Sequence, residues 1–389
     1  MTHNITILGG GASGLTAAIN LAQKGHKVHI LESKPRIGQK ILVTGNGRCN
    51  LTNLDIQCSH YHSDTPHIVQ HMIDRCNTTE VLAFFKSIGL FTRSKDNLVY
   101  PLSNKASSVV DLLRAALAKY HVEIITDFEI RDVVKHSDGY HIKSTQGHSI
   151  KTANLMIATG LKSYDGTDIG IHILKKFGHS IKKIYPALVQ LKSNDAFLKG
   201  LKGVKFIGEI RVRRGGDILR AERGEILITD YGLSGIAVMQ LSYLFSLHDN
   251  CTLELDFLPD MHFDELKKKL KYLHDFYKDT TTMPGEYLTG LVDKKLGMRI
   301  AKHSTNLEDL ARNLKSMSMT ISGHNGFKNA QVCGGGAALD DFDKNTLQSR
   351  YAKGLYAIGE VLDVAGDCGG YNLHWAFASA LCVSEAFHD

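Results

Sequence analysis

Apolar residues open the chain in two short blocks, Asn4 to Leu8 and Lys27 to Leu31, with an apolar stretch of helical spacing, Leu15 to Gln23, between them. A glycine turn, Gly9 to Gly14, joins the first block to the helix, so the pattern predicts a βαβ unit. From Asn53 to Ser94 the spacing turns helical, Ala106 to Lys119 predicts a helix, and Val122 to Thr126 predicts a strand. A hairpin-like pair is expected around Asp138-Gly139, and a short apolar strand from Leu155 to Ala158. Between 188 and 259 the period falls toward two, as in Val204 to Arg213, with Gly215-Gly216 as a tight turn and Leu253 to Phe257 as a further strand. Helical runs follow at Phe263 to Tyr277 and Glu286 to His303, separated by a stop at Met283-Pro284-Gly285. Strands resume at Ser318 and Gln331, and the end of the chain returns to strand, turn and helix.

The pattern predicts an α/β protein with a doubly wound nucleotide-binding domain made of residues 1–187 and 331–389. A β-rich insertion is expected at 188–259 with 316–330, and a small helical subdomain at 260–315.

Composition narrows the class. The 389 residues are 43% hydrophobic and 22% charged, with 36 Gly against 6 Pro, which excludes a fibrous or disordered chain. No apolar run approaches the roughly 18 residues of a membrane span, and none at the start reads as a secretory leader. The seven cysteines are odd in number and contain no C-x-x-C pair, so neither a disulfide framework nor a zinc ribbon is expected, and a reducing cytoplasmic compartment fits. Net charge is +6, concentrated between Lys182 and Arg214, where nine Lys or Arg face Asp195 and Glu209. Such a segment reads as a strand edge protected by charge or as an anion-binding surface.

Candidate chemistry lies at both ends of the chain. Gly9-Gly10-Gly11-Ala12-Ser13-Gly14 satisfies G-x-G-x-x-G between a strand and a helix, and Glu32 closes the next strand 18 residues after Gly14. Gly9 allows the turn, Gly11 lets backbone approach a pyrophosphate, Gly14 allows close packing, and Glu32, followed by Ser33, can accept from an adenosine ribose. The residues alone leave FAD and NAD open. The loop from Gly38 through Lys40 and Thr44-Gly45-Asn46-Gly47-Arg48-Cys49-Asn50 to Asn53 crowds amide, hydroxyl and basic groups suited to phosphates and ring edges. Near the C-terminus, Gly359-Glu360 ends a short strand, and Gly366 to Leu373, with Gly370, Tyr371 and Asn372, starts an apolar helix whose dipole favours negative charge on an electron-accepting ring. Gly334-Gly335-Gly336 reads as a turn. No metal cluster or hydrolase motif is present in the sequence. Cys49 and His374 are weak catalytic candidates, and both read first as packed residues.

The motifs T-G-N-G-R-C-N-L-T-N at 44 to 53, Y-P-L-S-N-K-A-S-S-V at 100 to 109, G-L-S-G at 232 to 235 and G-E-V-L-D-V-A-G-D-C-G-G-Y-N-L-H-W-A at 359 to 376 resemble the BaiN/RdsA-type flavoproteins, also called the aminoacetone oxidase family of FAD-binding enzymes. The resemblance spans nearly the whole chain. It implies a glutathione-reductase-like FAD domain split by a β-barrel-like domain and a helical domain. It also implies FAD at Gly9, Gly11, Gly14 and Glu32, the pyrophosphate and flavin near Lys40 and Thr44 to Asn50, the adenine near Ile130, and the ribityl chain and ring near Gly359, Glu360 and Gly370 to Leu373. Ala158-Thr159-Gly160 resembles the A-T-G segment that approaches FAD in the wider superfamily. The chain departs from the family at Leu161, at Ser163-Tyr164-Asp165 and at Ile236, where family members tend to have Gly, S-Y-P and Pro.

The expected function is an FAD-dependent oxidoreductase that moves a hydride between flavin and a small organic substrate, reduced transiently by NAD(P)H or reoxidised by oxygen. No second dinucleotide motif is present for the nicotinamide. The alternative is a flavin-containing binding or sensor protein whose basic segment engages an anionic partner such as RNA. Sparse aromatic interleaving in that segment disfavours nucleic acid.

Overall fold

The computed structural model describes residues 2–280 and 283–387. Two compact units divide the chain, Met1–Ile184 with Val332–Asp389, and Tyr185–Gln331.

The first unit is built on a five-stranded parallel sheet in the order Leu355–Ala357, Asn154–Ile157, Asn4–Leu8, Lys27–Leu31, Glu123–Ile125. The strands are short and apolar, and all but the edge strand Glu123–Ile125 are largely buried, as a parallel sheet covered by helices requires. Ala12–Gln23, Ala106–Lys119 and Tyr371–Val383 are the helices that pack around it. Tyr371–Val383 is apolar around nearly its whole circumference, with Trp375, Phe377 and Leu381 among its buried residues, so it reads as an interior helix. A three-stranded antiparallel sheet, Ile130–His136, Gly139–Ser144 and Ser149–Thr152, rises from the hairpin at Asp138-Gly139.

The stretch 53–94 is more broken than its helical spacing suggests. Two helices, Pro66–Arg75 and Thr78–Ser87, are separated by Asn77, whose side chain and that of Glu80 form a capping box that restarts the helix. Short strands at Tyr61–His62 and Thr92–Lys95 flank them. Gly334 to Gly336 is a correction: these glycines lie inside the buried strand Val332–Ala337. A Cβ on Gly335 would sit 2.0 Å from the Lys183 carbonyl and one on Gly336 2.6 Å from that of Val361, so the glycines serve close backbone approach within a strand.

The second unit holds a seven-stranded antiparallel sheet in the order Met317–Thr320, Cys251–Asp256, Lys205–Arg214, Asp217–Ile228, Gly232–Ser234, Leu191–Lys192, Gly323–His324. Its two outermost strands are consecutive in the chain, and Ser193 Oγ donates to the Thr320 carbonyl at 2.7 Å, so the sheet curls until its ends meet. Helices Phe263–Tyr277, Lys294–Lys302 and Leu307–Lys315 share one core with it: Leu266, Leu270, Ile300 and Leu314 pack with Ile210, Val212, Leu253 and Leu255. They stand on the sheet and not as a body of their own. The single helix expected from 286 to 303 is interrupted, because Asp293 caps a new start by accepting from the Lys295 and Leu296 N–H groups.

The basic segment is also corrected. Lys205–Arg214 is an interior strand, paired on both sides, and not a protected edge. Ile210 and Val212 face the core while Arg211 and Arg213 lie on the opposite face, bonded to Glu254 at 2.9 and 2.8 Å. Lys202 pairs with Asp230 and Lys205 with Glu225.

Candidate flavin site

The strand Asn4–Leu8 ends at the glycine turn because no side chain fits there. A Cβ on Gly9, at φ +110°, would meet the Ala158 carbonyl at 2.5 Å, and one on Gly14 would meet the Gly9 carbonyl at 2.0 Å. Gly11 differs: its added Cβ would find nothing within 4 Å. That open space faces the start of the helix Ala12–Gln23, which has neither a side-chain cap nor an acidic residue in its first turn. An uncapped helix start beside a glycine-lined cradle suits a pyrophosphate. Glu32 holds the turn from the second strand: Oε2 accepts from the Gly10 N–H at 2.7 Å, and Oε1 accepts from the Lys34 N–H and the Ser33 hydroxyl. The Phe128 N–H binds the Glu32 carbonyl at 2.9 Å, which brings the chain to Ile130, at the start of its strand, along the same side.

The loop 44–53 is a tight, irregular coil. Gly45, Asn46, Gly47 and Cys49 all have positive φ, Thr44 Oγ1 donates to the Ile41 carbonyl, and the Arg48 guanidinium lies over the Tyr100 ring at 4.9 Å. Asn50 Oδ1 accepts from the Val99 N–H. Cys49 is wholly buried, and burial pushes its thiol up to about 12, so it remains a protonated packing residue at neutral pH and not a redox thiolate.

Gly370 joins this loop to the C-terminal helix. At φ +95°, a Cβ there would lie 2.7 Å from the Thr52 carbonyl and 3.1 Å from Asn50 Nδ2. Asn53 Nδ2 donates to the Gly369 carbonyl at 2.9 Å, and Thr52 Oγ1 lies 2.8 Å from His374 Nδ1. The helix Tyr371–Val383 therefore starts against the loop, again with no side-chain cap and no acid in its first turn. Asn372 is turned back to close the preceding turn, accepting from the Gly366 N–H and donating to the Gly366 carbonyl, while Leu373 is half-buried beside it. His374 is fully buried, and burial pushes its imidazole down to about 4, so the ring is neutral at physiological pH and is not a ready proton donor.

Between the two helix starts lies a polar knot. Glu360 Oε2 accepts from Lys40 Nζ at 2.7 Å, while Oε1 accepts from Ser163 Oγ and from the Cys333 N–H, each at 2.9 Å. Lys40 Nζ also donates to Ser163 Oγ at 2.5 Å. A Cβ on Gly160 would stand 3.2 Å from Glu360 Oε2, and one on Gly359 would strike Ser13 Oγ at 2.5 Å. Ala158 binds the Leu8 carbonyl through its N–H, so Ala158-Thr159-Gly160 edges the same cleft as the first glycine turn. The fold thus brings residues 9–14, 32–33, 40, 44–50, 158–160, 359–360 and 370–373 to one end of the parallel sheet, the carboxyl ends of its strands, where ligands of such folds bind.

Sequence reading passed over several partners. Ser163 stood only as a departure from the family pattern, and Cys333 preceded glycines read as a turn. Two further partners, His60 and His62, carried no motif, although Asp367 and Tyr371, which they meet, lie in the C-terminal one: His62 Nε2 lies 2.9 Å from Asp367 Oδ1, and the His60 ring stacks on Tyr371 at 4.3 Å.

A parallel sheet with a glycine-cradled helix start, an acidic residue at the end of the adjacent strand and a second uncapped helix start defines an FAD-binding α/β oxidoreductase site. The model of the HI0933-like protein Rossmann domain matches residues 3–386, and the chain belongs to that family. It is 37% identical to the 3-dehydro-bile acid delta(4,6)-reductase of Clostridium scindens, covering 99% of this chain and 98% of that protein. It is 29% identical to the ribosomal RNA dihydrouridine synthase of Haemophilus influenzae, covering 96% of each. Among solved structures, the 3-ketosteroid delta1-dehydrogenase of Sterolibacterium denitrificans shares the fold, with a TM-score of 0.54, 12% identity and 99% of each chain covered. The protein is a flavoprotein oxidoreductase. Among the described residues no helix is long and apolar enough to cross a membrane, and no group of three or more His, Cys, Asp or Glu is arranged to hold a metal.

Proposed function

We propose that this chain binds FAD across the two helix starts and, after reduction by NADH or NADPH, saturates a carbon–carbon double bond conjugated to a carbonyl in a small apolar molecule. The observation that carries the reading is the contact of Gly370 with Thr52 and Asn50, which sets an uncapped helix start against the loop expected to hold the ring. Bound FAD supplies the hydride. The protein's part is to bind the cofactor at Gly11 and Glu32, to fix the Lys40–Glu360–Ser163 knot beside it, and to present helix N–H groups where negative charge develops.

The activities of the relatives support the reductive direction. A delta(4,6) bond in a 3-dehydro steroid and the bond lost in forming dihydrouridine are both conjugated to a carbonyl, so hydride addition generates an enolate-like charge in either case. The small-molecule reading is favoured by the greater identity to the bile acid reductase, 37% against 29%. It is favoured also by the ion pairs that neutralise much of the basic segment.

The test is an anaerobic reaction in two stages. The purified protein should show a flavin spectrum, bleach with NADH or NADPH, and regain its colour on adding a 3-oxo-Δ4 steroid acid, with a product heavier by two hydrogens. Recolouring by ribosomal RNA but not by the steroid would transfer the reading to the RNA substrate. A colourless protein that FAD cannot reconstitute would end both.

A further inference from the structure

Two buried cysteines lie outside the flavin machinery and face each other. Cys76 caps the C-terminal end of the helix Pro66–Arg75, and Cys382 sits in the last turn of Tyr371–Val383, 306 positions further along the chain. Their sulfurs are 2.6 Å apart, with 3% of Cys76 and none of Cys382 exposed. Cys382 Sγ also points toward the Met72 carbonyl, at 3.8 Å. Beside them Arg75 pairs with Glu385 and donates to the Asn345 carbonyl, so the ends of both helices are tied at this point.

We propose that Cys76 and Cys382 form a disulfide on exposure to an oxidant of the peroxide class. Two thiols and one hydrogen peroxide give one disulfide and two waters: the S–S bond forms, the O–O bond breaks and takes both electrons, and the two thiol protons leave in the water. The sulfurs at 2.6 Å already lie far inside van der Waals contact, so only a small further approach separates them from the covalent distance of about 2.05 Å. The hydrogen bond with Cys76, and then burial, hold the Cys382 thiol high, so closure is slow and needs a small oxidant. The bond would have a defined mechanical effect. Residues 52–76 already touch the C-terminal helix at one end, through Thr52 and His374, and the disulfide would clamp the other end to the same helix. A cross-link between positions so far apart in sequence restricts the unfolded chain strongly.

The full-length protein is treated with hydrogen peroxide, unfolded, alkylated and digested without reductant. The expected result is a peptide pair joining Cys76 to Cys382, two fewer alkylated thiols than the seven in the sequence, and a raised Tm that dithiothreitol reverses. Cys382→Ala should show no Tm rise. Complete alkylation of both cysteines after oxidation, or a disulfide that joins either one to another cysteine, would overturn the proposal. The peptide map needs only the wild-type chain, so a variant that folds poorly does not spare the proposal.

Discussion

Thr52 Oγ1 and His374 Nδ1 lie 2.8 Å apart in the interior, joining the end of the asparagine- and glycine-rich loop to the first turn of the C-terminal helix. The ring itself is wholly buried. Burial lowers the imidazole from 6.5 to about 4, so folding binds fewer protons than the unfolded chain does below pH 6.5. The stability this group confers is therefore complete above pH 6.5 and is lost as pH falls from there toward 4. The loss amounts to roughly 3 kcal/mol. His374→Asn, which keeps a polar atom near Nδ1, should flatten that part of the stability curve. Denaturant midpoints between pH 7 and 4 for both proteins check this, and parallel curves would refute it.

Gly11 separates folding from cofactor binding. Its φ of −86° is open to any residue, and an added Cβ meets no protein atom within 4 Å. Gly11→Val should fold with a wild-type apoprotein Tm yet hold little FAD, because the side chain fills the space a pyrophosphate needs. Gly14→Ala should instead damage the fold, since its Cβ falls 2.0 Å from the Gly9 carbonyl. Flavin absorbance per protein and thermal melts of the apo forms distinguish the two. Full occupancy in Gly11→Val would show that the turn does not hold the cofactor.

Much of this was legible before the fold was seen, for unequal reasons. The helices Ala106–Lys119 and Phe263–Tyr277 are readable because each carries an apolar stripe at helical spacing and meets no competing cap. The run 286–303 misleads because Asp293, a strong cap, sits inside an otherwise continuous pattern. The glycine turns at 9–14 and 369–370 are legible because Gly9, Gly369 and Gly370 hold positive φ and a Cβ on Gly14 would strike the Gly9 carbonyl. Gly334 to Gly336 carries the same residue type for another reason, close packing of a strand on neighbouring carbonyls, and composition cannot tell the two apart. Ser163 and Cys333 reach Glu360 only through tertiary contacts, which leave no local trace in sequence. The basic segment misleads in the opposite sense: its partners Glu254 and Asp256 lie on a neighbouring strand, so its charge looks free until the strands pair.

Gly370 bears more than conformational freedom. A residue with a Cβ meets positive φ and a carbonyl at 2.7 Å together, so Gly370→Ala must push Thr52 away from the helix start. The backbone strain alone costs about 1–3 kcal/mol. The expected outcome is a lower Tm, reduced FAD occupancy, and, in whatever fraction retains FAD, a reduction potential below wild type, because the helix N–H groups that favour a reduced, anionic ring are displaced. Normal Tm and an unchanged potential in redox titration would place this turn away from the ring.

Lys40 and Glu360 make the last case, because each makes the other tolerable in the cleft. The carboxylate is only 20% exposed and takes one charged and two neutral donors, from Lys40, Ser163 and the Cys333 backbone. Lys40→Met removes the cation and leaves the carboxylate beside the place a pyrophosphate is expected, turning attraction into repulsion. An electrostatic loss of about 1.4 kcal/mol is a tenfold change in affinity, and the expected FAD Kd rises by roughly that factor or more. Removing both charges, with Lys40→Met and Glu360→Gln together, should restore part of the affinity, since no unpaired carboxylate remains. Titrating FAD into the apo forms by flavin fluorescence measures both. If the single variant binds as tightly as wild type, or the double variant binds more weakly than the single, the pair does not act on the phosphates.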